Sequence, residues 1–150
     1  MKNILILLFA LLLFSACKKE KKIERNLWNN GGKWDIVKYE EIVTSTWPAN
    51  EKNDVYENYG MMQFNRAGSG WMIHAEDYDA YKYDFRYSNT PNELTIKYHE
   101  FDDSDTYTLD WKKNSFTLTQ SGTSTYSPSP SDPSFTVTDH RLYRYTCEKQ

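Results

Sequence analysis

The chain has 150 residues, 26% charged and 39% hydrophobic, which suits one ordinary domain able to bury a core without disulfide support. Twelve Tyr, seven Phe and five Trp stand against six Gly and five Pro, too many large packing groups for a disordered, collagenous or coiled-coil chain. The formal charge of -3, with acids and bases interspersed, offers neither the basic face that nucleic acid needs nor an acidic tail for a cationic partner.

Residues 1–17 read as a targeting segment: Lys2, an apolar run from Ile4 to Phe14, then Ser15, Ala16 and Cys17. The run is shorter than the roughly 18 residues needed to cross a bilayer, so a transmembrane anchor is the weaker reading. Leu13-Phe14-Ser15-Ala16-Cys17 resembles a bacterial lipobox, with Phe14 where a smaller aliphatic is usual. That resemblance implies a signal peptide over 1–16, a diacylated Cys17 as mature N-terminus, and attachment to the bacterial envelope at the outer membrane. Residues 17–26 then read as a lipidated start followed by a solvated spacer, because Lys18-Lys19-Glu20-Lys21-Lys22 has nothing to pack. Surface-exported lipoproteins of the Bacteroidetes type often carry acids at this point, so the lysines favour the inner leaflet. With Cys17 acylated, Cys147 has no partner for an intramolecular disulfide.

From Lys33 onward, short alternating runs are separated by turn chemistry and nothing repeats at helical spacing, which predicts an all-β domain over 27–150. The first strand is expected from Lys33 to about Thr44, with Trp34 and Ile36 on one face and Val37 and Tyr39 on the other. A loop over 45–54 precedes a second strand, about Tyr56 to Asn65, and Gly68 and Gly70 mark a hairpin into a third from Trp71 to Ala75. Tyr81 to Tyr87 alternates aromatic and charged residues at every step, the pattern of a half-buried antiparallel strand. Glu93 to Phe101, Thr106 to Trp111 and Ser115 to Gln120 follow, with Asp102 to Asp105 as a solvated acidic turn. A Ser- and Pro-rich loop over 121–134 leads to a last strand from Phe135 to about Thr146. Eight strands joined mostly by short turns suit an up-and-down antiparallel β-barrel, closed or partly open, since closure removes exposed edges.

Gly32-Lys33-Trp34 at the start of the first strand, Phe64 to Gly70 in the second hairpin, and Leu142-Tyr143-Arg144 near the end resemble the lipocalin-like lipoproteins of Bacteroidetes. The likeness spans about Leu27 to Tyr145. It implies that Trp34 closes the barrel base beneath an arginine of the last strand, either Arg141 or Arg144, as a structural motif with Gly32. Parity leaves the choice open, and a bulge near His140 would reconcile the two. The disulfides and the helix that follows the barrel in typical lipocalins are not evident here.

No sequence pattern points to catalysis. His74, His99 and His140 fall on different strands without metal-ligand spacing, the acidic turn lacks the glycine and distal Glu of a calcium loop, and no nucleophile elbow or phosphate loop is present. No metal or cofactor is expected. The aromatic surplus is the remaining signal: Trp71, Tyr83, Phe85, Tyr107 and Trp111 are candidates to line a cavity for a small hydrophobic or amphipathic ligand. Many inward tyrosines would favour a wet pocket, because each buried hydroxyl needs a partner. The alternative is a filled barrel whose loops, around Trp47 and over 127–133, contact another envelope protein or a glycan.

Overall fold

The computed structural model describes residues 18–75, 81–100, 103–129 and 134–150; the leader and Cys17 lie outside them. Eight antiparallel strands close into an up-and-down barrel, each paired with its neighbours in sequence and β1 with β8. They are β1 (Lys33–Ser45), β2 (Lys52–Asn65), β3 (Ser69–His74), β4 (Tyr83–Asn89), β5 (Glu93–Tyr98), β6 (Ser104–Trp111), β7 (Ser115–Tyr126) and β8 (Val137–Lys149). The eight expected strands are all present, and closure through β1 and β8 removes the partly open alternative. The main differences lie at the ends, where β2 starts earlier, β7 runs on to Tyr126, and β8 is displaced toward the C-terminus.

The stretch expected as a solvated spacer is not one over its described part. Residues 18–28 form a helix, α1, followed by a 3-10 turn at Asn29–Gly31. Ile23 and Leu27, one helical turn apart, are 2% and 0% exposed and join the barrel core, while Lys18, Lys21, Lys22, Glu24 and Arg25 face solvent. The helix-forming Lys, Glu and Arg side chains make the segment competent, and burial of its two-residue stripe makes it stay. Gly32, at φ +65°, turns the chain from this plug into β1, and a β-carbon there would collide with the Phe64 carbonyl oxygen.

Trp34 is the floor of the barrel. It is fully buried, with ring centroids 4.9 Å from Phe116 and 5.4 Å from Trp111, and its indole N–H donates to the Leu27 carbonyl at 2.9 Å. Neither arginine of the expected base motif reaches it. Arg144 projects from the outer face toward Glu40 at 3.4 Å, and Arg141 stands near the other end of the barrel against Asp139 at 3.6 Å. The cation over Trp34 is Lys149, its ammonium 5.0 Å from the ring centroid and bonded to the Asn26 carbonyl at 3.1 Å. All odd-numbered β8 residues face inward without the bulge suggested at His140, so parity settles on a residue beyond either candidate.

The irregularity lies in β1 instead. The pairing of β1 with both neighbours shifts between Ile36 and Lys38, leaving Val37 as an extra residue against β8 and opposite two residues, Asn58 and Tyr59, of β2. Trp34, Ile36 and Tyr39 therefore all face inward, and the expected opposition of Trp34 and Tyr39 fails by that one residue. Above Trp34 the lower barrel is filled: Phe64, Phe85, Met62, Leu94, Ile96, Phe116 and Leu118 are each no more than 1% exposed. If α1 is a plug, Leu27→Ala costs about 2–5 kcal/mol of unfolding free energy, the range for deleting a buried leucine side chain. Urea titration of the folded protein checks this; a free spacer would leave the midpoint where it was.

Candidate functional site

Halfway along the barrel the aliphatic core gives way to a layer of tyrosines. Tyr39 stacks between Tyr59 and Tyr145, with centroids at 4.4 and 4.7 Å, and Tyr56 lies 5.8 Å away. Tyr59 continues to His74 at 4.9 Å and His74 to Tyr83 at 5.1 Å; in the other direction Tyr145 meets Tyr107 at 6.0 Å. Tyr98 lies against Phe85 at 6.3 Å. Together these rings form a belt contributed by every strand except β7. Second irregular spacing makes it possible: Asn58, at φ +54°, lets β2 turn both Tyr56 and Tyr59 to the interior.

The belt marks where solvent enters. Apart from Trp111 and Lys149 at the base itself, the inward side chains below it are buried, whereas Tyr56, Tyr59, His74, Tyr83, Tyr98 and Tyr145 are only half-buried although their strands point them inward. Desolvation is the main influence on the phenols. It raises Tyr39, Tyr107 and Tyr145 far above the ordinary tyrosine value and Tyr98 to about 12, so the belt presents neutral hydroxyls.

Beyond the belt, β1, β2, β7 and β8 continue past the ends of the shorter strands and form a curved wall. Its inner face is polar. The Lys52 ammonium bonds Glu41 at 2.6 Å and Asp54 at 3.0 Å, which raises its pKa, and Gln120 donates to Asp105 at 2.8 Å. Asp139, 2% exposed, accepts from the Ser45 hydroxyl at 2.6 Å and the Asn50 amide at 3.3 Å beside Arg141, and these bonds hold its carboxyl below the usual range. At Gly122 an added β-carbon would meet nothing within 4 Å, and a concavity of about 260 Å³ opens there between Gln120, Ser124, Arg141 and Tyr143. A larger, shallow groove of about 590 Å³ runs along the outer face past Ile42, Thr44, His140 and Leu142.

The five aromatic candidates do not form one site. Tyr83 and Tyr107 belong to the belt; Phe85 is sealed in the core; Trp111 packs at the base against Phe116 at 5.6 Å. Trp71 is on the outer surface, opposite Gln63 and Asp84, with the Lys82 ammonium 4.8 Å over its ring. Its neighbours Gly70 and Met72 take the inward positions. The acidic turn is also corrected in part, since Asp105 points inward, accepting from Gln120 and, at 3.4 Å, from the Tyr107 hydroxyl. Asp102 and the acidic loop at Glu76 to Asp79 lie outside the described residues. Tyr39, Tyr59, Tyr98 and Tyr145 were missed as a group, and the signal for them was the tyrosine count read with correct parity.

His99 is exposed after β5, His140 is on the outer face bonded to Thr123 at 2.9 Å, and Cys147 is a buried free thiol pushed up by desolvation. Among the described residues, no three His, Cys, Asp or Glu converge to hold a metal. No protein-family model matches the chain, nor does any curated protein or solved structure.

The raised phenol values carry a sign. A tyrosine whose folded pKa exceeds its unfolded value of 10.0 contributes stability that is intact below pH 10 and lost as pH rises toward the folded value. In an alkaline titration followed by tyrosinate absorbance, the buried phenols Tyr39, Tyr98, Tyr107 and Tyr145 ionise late, Tyr98 toward pH 12 and the others together with unfolding. A single titration step at the ordinary value would contradict the buried belt.

Proposed function

We propose that this protein binds a small amphipathic molecule in the cup above the tyrosine belt. The single observation behind this reading is that inward-facing Tyr59, Tyr83, Tyr98 and Tyr145 keep part of their surface exposed above a lower core of fully buried side chains. A flat apolar body lies against the rings, and polar groups of the ligand meet the wall carrying Arg141, Tyr143 and Gln120. On this reading the ligand sits at the mouth, in keeping with the filled lower barrel. The action is burial and release, with no bond made or broken, in keeping with the lipocalin-like resemblance of Gly32 and Trp34.

The same reading makes the protein a lipid-anchored component of the bacterial envelope, diacylated at Cys17 after removal of residues 1–16. Two acyl chains give stable attachment where one is marginal. Support comes from the lipobox resemblance alone. Growth with an alkyne-tagged fatty acid should label the protein and place it in the membrane fraction, and Cys17→Ser should abolish both; unlabelled protein in the membrane-free fraction would refute the anchor.

One observation favours a second reading, an interaction module. Trp47 and Phe135, 41% and 48% exposed, pack edge to face at 6.1 Å on the rim, an apolar pair available to another envelope component.

The readings separate with an anilinonaphthalene sulfonate probe, which joins an aromatic body to an anion. On the cup reading Tyr59→Ala weakens probe binding to the folded protein about tenfold, equivalent to about 1.4 kcal/mol, and Trp71→Ala on the outer wall leaves it unchanged. Equal sensitivity to Trp71→Ala, or none to Tyr59→Ala, would overturn it.

A further inference from the structure

We infer that the closed base of the barrel is a membrane-facing surface that docks on anionic phospholipid headgroups, holding the tyrosine-lined mouth away from the bilayer. The inference rests on the acylation of Cys17 proposed above and adds what that anchor does to the domain.

A flexible spacer over 18–26 would let the barrel swing freely, since an extended chain spans about 3.3–3.6 Å per residue. The structure removes that freedom. Ile23 and Leu27 are buried in the barrel, and the first described turn of α1 is tied to the β4–β5 turn: the Asn89 amide donates to the Glu20 carbonyl at 3.3 Å, and the Lys19 ammonium to the Asn92 side chain at 3.5 Å. Cys17 is the covalent neighbour of Lys18, so lipid on its thioether enters the bilayer beside this turn. The turn belongs to the base, because β4 runs from Tyr83 in the belt to Asn89 beside α1.

Charge is distributed to match. Exposed Lys18, Lys21, Lys22 and Arg25 on the helix share the base with exposed Arg66 and Lys113 in the β2–β3 and β6–β7 turns. Acids at this end, Glu20, Glu24, Asp35, Glu93, Asp110 and Glu148, are fewer than its bases, whereas among the described residues of the opposite end Glu41, Glu51, Asp54, Glu100, Asp103, Asp105 and Asp139 outnumber Lys52, Lys82, Lys97 and Arg141. Basic residues beside a lipid anchor are drawn to anionic headgroups within a Debye length of the surface, while the acidic mouth is repelled. Hydrophobic anchoring and this charge gradient thus act in one direction.

The test uses the processed full chain, purified in detergent and reconstituted into phosphatidylcholine vesicles with phosphatidylglycerol added. A fluorophore is placed at Asn114→Cys in the β6–β7 turn or at Glu51→Cys near the mouth, both exposed, while the buried Cys147 stays unlabelled. Lipids bearing a headgroup nitroxide should quench the Asn114→Cys label several-fold more strongly than the Glu51→Cys label. Combined Lys18→Glu, Lys21→Glu and Lys22→Glu substitution, on the exposed helix face, should reduce that difference without altering the unfolding midpoint. Mass measurement of the N-terminal peptide keeps the two proposals apart. If no acyl group is found, the anchor fails and this inference with it; if the chain is acylated and both labels are quenched alike, the anchor stands and the docked base is overturned.

Discussion

The indole N–H of Trp34 and the carbonyl of Leu27 form the bond on which the arrangement of this molecule turns. An up-and-down barrel has two open ends, and a core that leaks water at both is expensive. Here one end is shut by a single aromatic ring whose polar edge must find a partner, and the helix supplies it. The hydrogen bond is modest by itself, about 1 kcal/mol net, but leaving a buried donor unpaired would cost more than forming it gains. Helix, ring and first strand are thereby fixed to one another, with the Lys149 cation completing the cover over the ring.

Closing one end commits the other. With the lower barrel filled by aliphatic and phenyl side chains, the transition to phenols halfway up is a change of solvent as well as of residue type. Tyrosine suits that boundary because its ring packs below while its hydroxyl can be satisfied by neighbours or water. The Asp105, Tyr107 and Gln120 contacts show how such satisfaction is arranged, an acid taken inside to accept from its surroundings. Four strands then overshoot the rest, so the aperture is a sloping cup with one high wall.

The barrel itself was legible in the sequence because strict alternation in segments such as Tyr81 to Tyr87 has no helical interpretation, and the turn residues between runs are distinctive. Two kinds of information were not. Parity arguments assume an unbroken ladder, so the extra residue at Val37 and the turned backbone at Asn58 hid Tyr39 and Tyr59 from a reading that placed Trp34 correctly. Trp71 failed for the opposite reason: its size suggested burial, yet it shares a strand with Met72, and only one of two adjacent residues can face in. The helix was obscured because two apolar positions among lysines look like chance until the open end of a barrel is there to receive them.

The extra residue at Val37 also limits how the first strand can change. Insertions and deletions are usually tolerated in loops, where a length difference is absorbed without moving a side chain. Were β1 to run through Val37 as an unbroken ladder, Tyr39, Val43 and Ser45 would turn outward and Glu40, Ile42 and Thr44 inward, whereas removing Val37 itself would regularise the pairing with β8 and leave Tyr39 facing in. The bulge is therefore what joins the two halves of the strand: a homologue without Val37 keeps the same residues at its mouth, and one that retains Val37 in a regular ladder does not.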